Sequence, residues 1–404
     1  MGESGAAATL CSQFIMRLIY PDPNWVPDTT PSALQILQNV DAFGQLGVDV
    51  CLLTPKSRNG LSPDMVLGRP LPASITTKTI SDLRRRWFFP LSSNKPFYFL
   101  ATRWISQQSN CVVLVRNIKM AEYLLNSGVR QPLFFETHEV FAQTFREEKN
   151  PMSRADENKL LALAAREAFV YRNCKGVIAL TQHLADDMRN HYGITTPIHI
   201  APDGFDAELS ARSVNPNPNS LPLLLYLGSL HPWKGVDMLV RVMQYVKGAK
   251  LRIVGGVPER ISQLRSLAKS MGVDQQIEFL GPVEPIKRFD IIAEADICLL
   301  PSSNTSIGSR FTSPLKLFEY MAMGKPIVTS NLPAIREVLT NSENALLVDF
   351  GDEEKFGSAV NLLLSNPALR LHLGTNAKAL SRRYTWKARA QSILDFMRQV
   401  APTQ

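Results

Sequence analysis

The sequence is poor in cysteine. Its five cysteines are scattered over 404 residues, at positions 11, 51, 111, 174 and 298, and none forms a Cys-x-x-Cys pair. An odd and dispersed set of this kind argues against a disulfide framework and against a zinc site. We therefore expect a reduced, cytoplasmic protein in which Cys298 is a small apolar core residue.

The sequence also lacks any long hydrophobic run. No uninterrupted apolar stretch approaches the roughly 18 residues that suggest a membrane-spanning helix. No basic leader precedes a hydrophobic segment in residues 1–16, so a signal peptide is not expected either. We expect residues 1–12 to be a disordered lead-in. The composition, 45% hydrophobic and 20% charged, is ordinary for a globular enzyme.

Acidic residues are scarce in two segments. Residues 51–119 contain 11 lysines and arginines against 2 acidic residues, and residues 370–404 contain 7 against 1, within a chain of net charge +8. Basic surface attracts nucleic acid or anionic lipid without specifying either. No zinc-finger or RNP signature accompanies it, which disfavours nucleic acid, so an anionic membrane surface is the favoured partner.

One basic segment also contains aromatic residues. Cationic and aromatic side chains stand side by side there, an arrangement that suits the headgroup boundary of a bilayer. The alternative is a helix with one solvated face and one core face. The candidate membrane residues are Arg84, Arg85, Arg86, Trp87 and Phe88.

The length predicts two domains, because 404 residues exceed what one hydrophobic core usually serves. Residues 207–220 are polar and interrupted by proline, which is typical of an interdomain linker. Strands and helices alternate on both sides of this linker, which predicts two α/β domains, residues 13–206 and 221–379. Residues 380–404 end the chain with an amphipathic helix.

In the N-terminal domain, polar residues follow two predicted strands. A loop with Asp28, Thr29 and Thr30 follows the first strand, and Glu136 and His138 follow a later one. The carboxyl ends of parallel strands border the ligand crevice of an open α/β sheet. A lone histidine is more often structural, but this position favours a functional role.

In the C-terminal domain, short loops of small residues follow three predicted strands. Paired glycines at such positions allow a planar base to approach the backbone. Lys234 lies in the first of these loops and can project a positive charge into the crevice. The loop residues are Gly228, Ser229, Gly255, Gly256, Pro282 and Val283.

A further helix of this domain is predicted to begin at an anion site. Ser313 is a natural N-cap and Pro314 a natural first helical residue, and Gly324 ends the helix. The helix follows a buried strand, so its N-terminus faces the carboxyl end of the sheet. Unpaired N–H groups and a partial positive charge make this terminus a site for phosphate.

Three motifs resemble a known family. PDGFD at 202–206, LGSLHPWKG at 227–235 and SPLKLFEYMAMGKPIV at 313–328 resemble, in order and spacing, the retaining GT-B glycosyltransferases of the group-1 type, often called family 4. This resemblance implies two Rossmann-like α/β domains facing across a cleft. The second domain would bind the donor nucleotide, the first the acceptor, and the C-terminal helix would return to the N-terminal domain.

The resemblance also implies roles for individual residues. His138 would contact the transferred sugar and Glu319 would accept hydrogen bonds from ribose hydroxyls. From the residues themselves, we expect Lys234 and the N–H groups of Leu315 and Lys316 at the helix start to stabilise the leaving diphosphate. The candidate catalytic residues are therefore His138, Lys234 and Glu319. No cofactor is expected, and no Asp-x-Asp pair at a predicted strand end indicates a catalytic metal.

The sequence departs from the family pattern at two places. The family commonly has a glutamate eight positions before Glu319, where this chain has Phe311. Adjacent glycines that the family usually has in the first loop are replaced by residues 28–30. Arg310, beside Phe311, is a candidate to reach the diphosphate instead.

The predicted function is transfer of a sugar, with retention of configuration, from a nucleoside-diphosphate sugar to a lipid-linked or saccharide acceptor. UDP is the favoured nucleotide, and polysaccharide or glycolipid synthesis at the inner face of the membrane is the favoured context. A sugar-nucleotide epimerase would need further acid and base carboxylates, which the sequence does not reveal. A non-catalytic sugar-nucleotide-binding subunit is the third possibility, favoured by the missing glutamate and glycines.

Overall fold

The computed structural model describes residues 17–57, 60–84, 92–149, 151–212 and 221–402. The predicted lead-in and the second part of the predicted linker lie outside these ranges. Four of the five candidate membrane residues also lie outside them, namely Arg85, Arg86, Trp87 and Phe88.

The N-terminal domain contains a seven-stranded parallel sheet with the strand order β3-β2-β1-β4-β5-β6-β7. Its strands are apolar because helices cover both faces of a parallel sheet, and all five residues of Cys111–Val115 are buried. The strands are β1 Arg17–Pro21, β2 Val50–Pro55, β3 Ile75–Ile80, β4 Cys111–Val115, β5 Leu133–Thr137, β6 Gly176–Ala179 and β7 Ile198–Ile200. The helices are α1 Pro31–Gln45, α2 Pro63–Leu67, α3 Lys95–Ile105, α4 Ile118–Asn126, α5 Phe141–Glu148, α6 Arg154–Asn173, α7 Gln182–Tyr192 and α8 Ala207–Arg212.

The C-terminal domain contains a six-stranded parallel sheet with the order β10-β9-β8-β11-β12-β13. The strands are β8 Leu223–Leu227, β9 Lys250–Val254, β10 Ile277–Gly281, β11 Ile297–Leu300, β12 Ile327–Ser330 and β13 Leu346–Val348. The helices are α9 Val236–Val242, α10 Pro258–Ser270, α11 Arg288–Glu294, α12 Leu315–Ala322, α13 Pro333–Arg336, α14 Glu353–Ser365, α15 Pro367–Ser381 and α16 Trp386–Val400. Short 3-10 turns cover Pro232–Lys234, Asp274–Gln276 and Pro285–Lys287, and a π-helical turn covers Ile307–Phe311.

Two predicted boundaries differ from the structure. The predicted linker 207–220 begins with helix α8, because Asp206 caps it by accepting hydrogen bonds from the N–H groups of Glu208 and Leu209. The predicted terminal helix 380–404 is instead the end of α15 followed by α16. Thr385 starts α16, since its hydroxyl accepts from the N–H of Ala388.

Helix α16 packs on the N-terminal domain, as predicted. Its apolar side chains share one buried cluster with α1 and with strands β1 and β2. Phe396 makes an edge contact with Phe134 of β5, with ring centroids 5.9 Å apart. The end of the chain is therefore part of the N-terminal core. Among the described residues, no helix is long and apolar enough to cross a membrane.

The π-helical turn of the C-terminal domain docks on the N-terminal domain. Phe311 is completely buried and belongs to the apolar cluster of the N-terminal domain. The hydroxyl of Thr181 donates to the carbonyl of Arg310 at 2.6 Å. Glu147 of α5 accepts from the N–H of Ser306 at 2.9 Å, just before the turn. These contacts hold the two domains together beside the cleft.

Candidate active site

Two lysines meet at the carboxyl end of the second sheet. Lys316 lies in the first turn of α12 with 7% of its surface exposed. Its Nζ lies 3.7 Å from the ring centroid of Tyr226 and has no hydrogen-bond partner among the described residues. Burial and the nearby charge of Lys234 lower the pKa of Lys316 well below its ordinary value. The sequence interpretation used only the backbone N–H of Lys316 and missed this side chain.

Lys234 is the second member of the pair. It ends the 3-10 turn after β8, and its Nζ lies 3.6 Å from the ring centroid of Trp233. Burial lowers the pKa of Lys234 to about 7, although the carboxylate of Asp203 acts in the opposite direction. The lowered pKa values show that positive charge is disfavoured on both lysines here, and an anion bound beside them would favour their protonated forms.

Close backbone approach explains two of the predicted loop glycines. A Cβ atom at Gly228 would lie 2.8 Å from Nζ of Lys316, so a side chain there would displace the ammonium group. A Cβ atom at Gly255 would lie 2.3 Å from the carbonyl oxygen of Gly228. Both have positive φ angles, +143° and +107°. Ser229 and Gly256 lie in the loops after β8 and β9, and Pro282 and Val283 follow β10.

Glu319 lies one turn into α12, where an arginine binds it. Nε of Arg288 donates to Oε1 of Glu319 at 2.5 Å, and both side chains are buried. Arg288 also donates from Nη1 to the carbonyl of Pro285 at 2.6 Å. The sequence interpretation missed Arg288, whose only local signal is a basic residue at the start of an apolar helix.

The start of α12 differs from the prediction by one residue. Pro314 occupies the N-cap position and Leu315 is the first helical residue. Ser313 does not cap the helix, because its Oγ accepts a hydrogen bond from the N–H of Asp203 at 2.8 Å. The hydroxyl therefore links the two domains instead of closing the helix end, which leaves the N–H groups of the first turn without a side-chain cap.

Arg310 was predicted to reach the diphosphate, but its side chain contacts the N-terminal domain. Its guanidinium forms a two-point ion pair with Asp187 of α7, with Nε donating at 2.9 Å. The predicted contact between Arg310 and a diphosphate would require this ion pair to break. In this structure Arg310 is part of the contact between the domains.

His138 and Glu136 belong to a buried polar cluster at the end of β5. Nε2 of His138 lies 2.8 Å from Oε1 of Glu136, and Nη2 of Arg116 lies 3.5 Å from Nδ1 of His138. Burial and Arg116 lower the pKa of His138. Burial alone would raise the pKa of Glu136, but Arg389 and His138 hold it well below its usual range. Asp203 accepts from the side chain of Gln35 at 2.7 Å in the same cluster.

The first loop lies at the carboxyl end of β1. Asp28 accepts a hydrogen bond from the N–H of Thr30, which precedes α1, and Thr29 lies between them. Arg84 lies near this loop, because its guanidinium is 4.6 Å from the ring centroid of the loop residue Trp25. The same guanidinium forms an ion pair with Asp82. The predicted acceptor residues and the one described membrane candidate therefore belong to neighbouring parts of the N-terminal domain.

Two family models match the chain. Residues 33–209 match the model of glycosyltransferase family 4, and residues 221–366 match the model of glycosyl transferases group 1. The D-inositol 3-phosphate glycosyltransferase of Xylanimonas cellulosilytica is 29% identical over 241 residues. This match covers 55% of the chain and 56% of that relative, so the chain spans just over half of the relative's length.

Solved structures share the fold over nearly the whole chain. Sucrose-phosphate synthase from Thermosynechococcus elongatus superposes with a TM-score of 0.76 at 16% identity, covering 95% of this chain and 99% of that one. HepE of Anabaena, solved in complex with UDP-glucose, gives 0.72 at 16% identity, covering 95% and 100%. At such identities the likeness establishes the two-domain GT-B architecture alone. Together with the two family models, it shows that the chain belongs to the group-1, family 4 glycosyltransferases.

Proposed function

We propose that this protein transfers a sugar from a nucleoside-diphosphate sugar to an acceptor bound by its N-terminal domain. The observation that carries the proposal is the pair of Lys234 and Lys316. Lys316 is buried and Lys234 is partly buried, the charge of Lys234 disfavours a second charge on Lys316, and Nζ of Lys316 has no hydrogen-bond partner among the described residues. A diphosphate would relieve that repulsion and satisfy both groups.

The start of α12 adds to this anion site. The N–H groups of Leu315 and Lys316 lie at its first turn, where the partial positive charge of a helix is concentrated. A leaving diphosphate gains negative charge as the glycosidic bond breaks. Fixed positive groups aimed at that charge lower the barrier, because they need no reorganisation during the reaction. Lys234, Lys316 and the helix start would together supply this stabilisation.

UDP-sugar is the proposed donor. HepE, which shares the fold, was solved with UDP-glucose. In this chain Glu319 is held by Arg288 beside the anion site, and its carboxylate would accept hydrogen bonds from the ribose hydroxyls. Gly228 and Gly255 allow the loops after β8 and β9 to pack against each other and against Lys316. We propose retention of configuration at the transferred sugar, and catalysis without a metal ion, because the lysines would neutralise the leaving group.

The proposed acceptor is lipid-linked or a saccharide, bound on the N-terminal side of the cleft. Helix α3 gives this domain an exposed face that suits a membrane surface. Phe99 and Leu100 are 55% and 36% exposed, and Lys95 and Arg103 lie one turn before and after Phe99. Docking of this basic and aromatic side on anionic lipid would bring the cleft close to an amphiphilic acceptor.

Binding and turnover of the donor test the proposal. The thermal unfolding temperature should rise with UDP-glucose, and less with GDP- and ADP-glucose, because a ligand at 100 times its Kd stabilises by about 2.7 kcal/mol. Release of UDP with a candidate acceptor distinguishes an enzyme from a binding subunit. Stabilisation by UDP-sugar without any UDP release or sugar interconversion would favour the non-catalytic subunit. Conversion of the sugar without its transfer would favour an epimerase.

A further inference from the structure

His138 has both ring nitrogens engaged, which determines its tautomer. The guanidinium of Arg116 has only hydrogen-bond donors, so Nδ1 of His138, 3.5 Å from Nη2, must accept. Nε2 then carries the proton and donates to Oε1 of Glu136 at 2.8 Å. The Glu136 carboxylate therefore sets the direction and the tautomer of the imidazole, whose side chain is 23% exposed.

Glu136 itself depends on one residue of the last helix. Its Oε1 lies 3.2 Å from Nη2 of Arg389 in α16, an ion pair without hydrogen-bond geometry, and its side chain is completely buried. Its Oε2 has no hydrogen-bond partner among the described residues. Apart from His138, the one ion-pair partner described for this carboxylate is Arg389, which lies far away in the sequence.

Arg389 is fixed by contacts on its other sides. Its Nη1 donates to Oδ1 of Asn39 in α1 at 2.5 Å, and its Nε donates to the carbonyl of Pro202 at 3.1 Å. Its side chain is 2% exposed. A guanidinium bound in this way cannot move without disturbing α1 or the segment after β7. It offers Glu136 a pre-organised charge.

We propose that Arg389 is a positioning residue for His138. It holds the Glu136 carboxylate, and that carboxylate fixes the imidazole at the point where the N-terminal domain faces the donor. The terminal helix thereby takes part in the site as well as in the fold. The kinetic consequence of this inference rests on the proposed glycosyl transfer, whereas the structural consequence does not.

Removing Arg389 has a defined electrostatic result. The groups that face His138 are Glu136 from β5, Arg116 after β4, Asp203 after β7 and, through Glu136, Arg389 from α16. Without Arg389, the buried negative charge of Glu136 has His138 as its remaining close partner. A buried carboxylate that loses one cation favours protonation of the other partner. The pKa of His138 should therefore rise in Arg389→Gln.

NMR of the histidine imidazoles in the ligand-free protein tests this predicted rise in the pKa of His138 without any substrate. The chain has six histidines, so ¹⁵N-histidine labelling gives a resolvable spectrum, and a His138→Asn variant assigns the signals of His138. The native protein should show a neutral imidazole protonated at Nε2, and Arg389→Gln should move its titration to higher pH. Arg398→Gln is the matched control, because Arg398 lies on the same helix and is 51% exposed.

Unchanged His138 signals in Arg389→Gln would overturn the inference. If that variant does not fold, Arg389→Lys serves instead, since it keeps a positive charge but cannot reproduce the contacts of the guanidinium with Glu136, Asn39 and Pro202. There too the His138 signals should change, and identical signals would overturn the inference.

Donor turnover gives the functional measurement, with UDP-glucose as the probe and UDP as the detected product. Arg389→Gln should lower kcat about 10-fold with little change in KM, because misplacing a reacting group affects catalysis more than the binding of the nucleotide. Arg389→Lys should recover part of the loss, and Arg398→Gln should lose nothing. In a Glu136→Gln background, Arg389→Gln should cause no further loss.

Two results separate the inference from the proposed function. Additive losses in Arg389→Gln and Glu136→Gln, or a rise in KM alone, would make Arg389 a structural residue only and overturn the inference. If the native protein neither binds nor cleaves UDP-glucose, then the proposed donor is wrong. The NMR result would still decide whether Arg389 controls His138.

Discussion

Arg288 and Glu319 form a buried ion pair, with Nε of the arginine 2.5 Å from Oε1 of the glutamate. Arg288 begins α11 and Glu319 lies one turn into α12, so the pair joins two helices of the C-terminal domain. It fixes one oxygen of the carboxylate that would bind the ribose. Among the described residues, no hydrogen bond reaches the other oxygen.

The first prediction concerns this pair. Glu319→Ala should lower turnover by at least about 100-fold through misplacement of the nucleotide. It should also lower the unfolding temperature, because a buried arginine without its partner costs about 3–5 kcal/mol. Glu319→Gln should keep more stability and still bind UDP-glucose weakly, as measured by calorimetry. Lys287→Gln, next to Arg288 but exposed, is the control. Native turnover in Glu319→Gln would remove Glu319 from the site.

The second prediction is a gain of stability with a loss of function. Lys316→Met should raise the unfolding temperature of the ligand-free protein, because it removes a buried ammonium group without a hydrogen-bond partner. It should weaken UDP binding about 10-fold or more, since charge-assisted hydrogen bonds to the diphosphate are lost. Lys269→Met on the exposed side of α10 should change neither. Unchanged UDP affinity in Lys316→Met would show that this side chain does not contact the diphosphate.

The third prediction follows from the pKa of Lys234, which burial lowers to about 7 in the free protein. Below that pH Lys234 is already protonated, so it takes up no proton when UDP binds. Above it the free lysine is neutral, and a bound diphosphate raises its pKa. UDP binding should then take up a proton, and affinity should fall as pH rises through this range.

Calorimetry in buffers of different ionisation enthalpy measures the proton uptake at pH 8. Lys234→Ala should reduce it, leaving the uptake by Lys316, whose pKa is also lowered, and should lower turnover by at least about 100-fold. Equal proton uptake in the native protein and in Lys234→Ala would assign the titration to another group.

The fourth prediction is that EDTA leaves turnover of UDP-glucose unchanged. Lys234, Lys316 and the start of α12 would neutralise the diphosphate in place of a metal ion. The assay compares the chelated enzyme with the same enzyme after addition of Mg²⁺ or Mn²⁺. A strict requirement for either ion would contradict the proposed role of the lysines.

The fifth prediction concerns the membrane. A variant with Arg84→Glu, Arg85→Glu and Arg86→Glu should sediment less with anionic liposomes than the native protein, by on the order of 1 kcal/mol for each arginine that faces the lipid. Arg84 should contribute less, because it pairs with Asp82 and its side chain is 15% exposed. Binding should weaken with salt, because salt screens the attraction. Phe99→Ser on the exposed face of α3 should also weaken it. If native and variant proteins of equal thermal stability sediment alike, then a soluble acceptor becomes the better hypothesis.

Local sequence patterns were enough to predict most of the architecture. Continuous apolar runs predicted the central strands, and helical spacing predicted the long helices, because both patterns follow from which face of an element is buried. The polar, proline-rich segment at 207–220 predicted the change of domain, and α8 begins inside it. The glycines were predicted to let a planar base approach, whereas in the structure Gly255 packs against the carbonyl of Gly228, and Gly228 packs against the side chain of Lys316.

The partners of the charged side chains could not be predicted in this way. Arg389 meets Glu136 only because α16 returns to the N-terminal domain, and Arg310 meets Asp187 only because the two domains dock. Ser313 has the sequence signature of an N-cap, but its hydroxyl binds Asp203 of the other domain.

The sequence by itself thus determined the elements, their order and the family. The tertiary structure alone decided which buried charges are paired and that Nζ of Lys316 has no hydrogen-bond partner among the described residues. The physical reason is that local periodicity reports burial within one element, whereas an ion pair depends on two elements brought together by the packing of the whole chain.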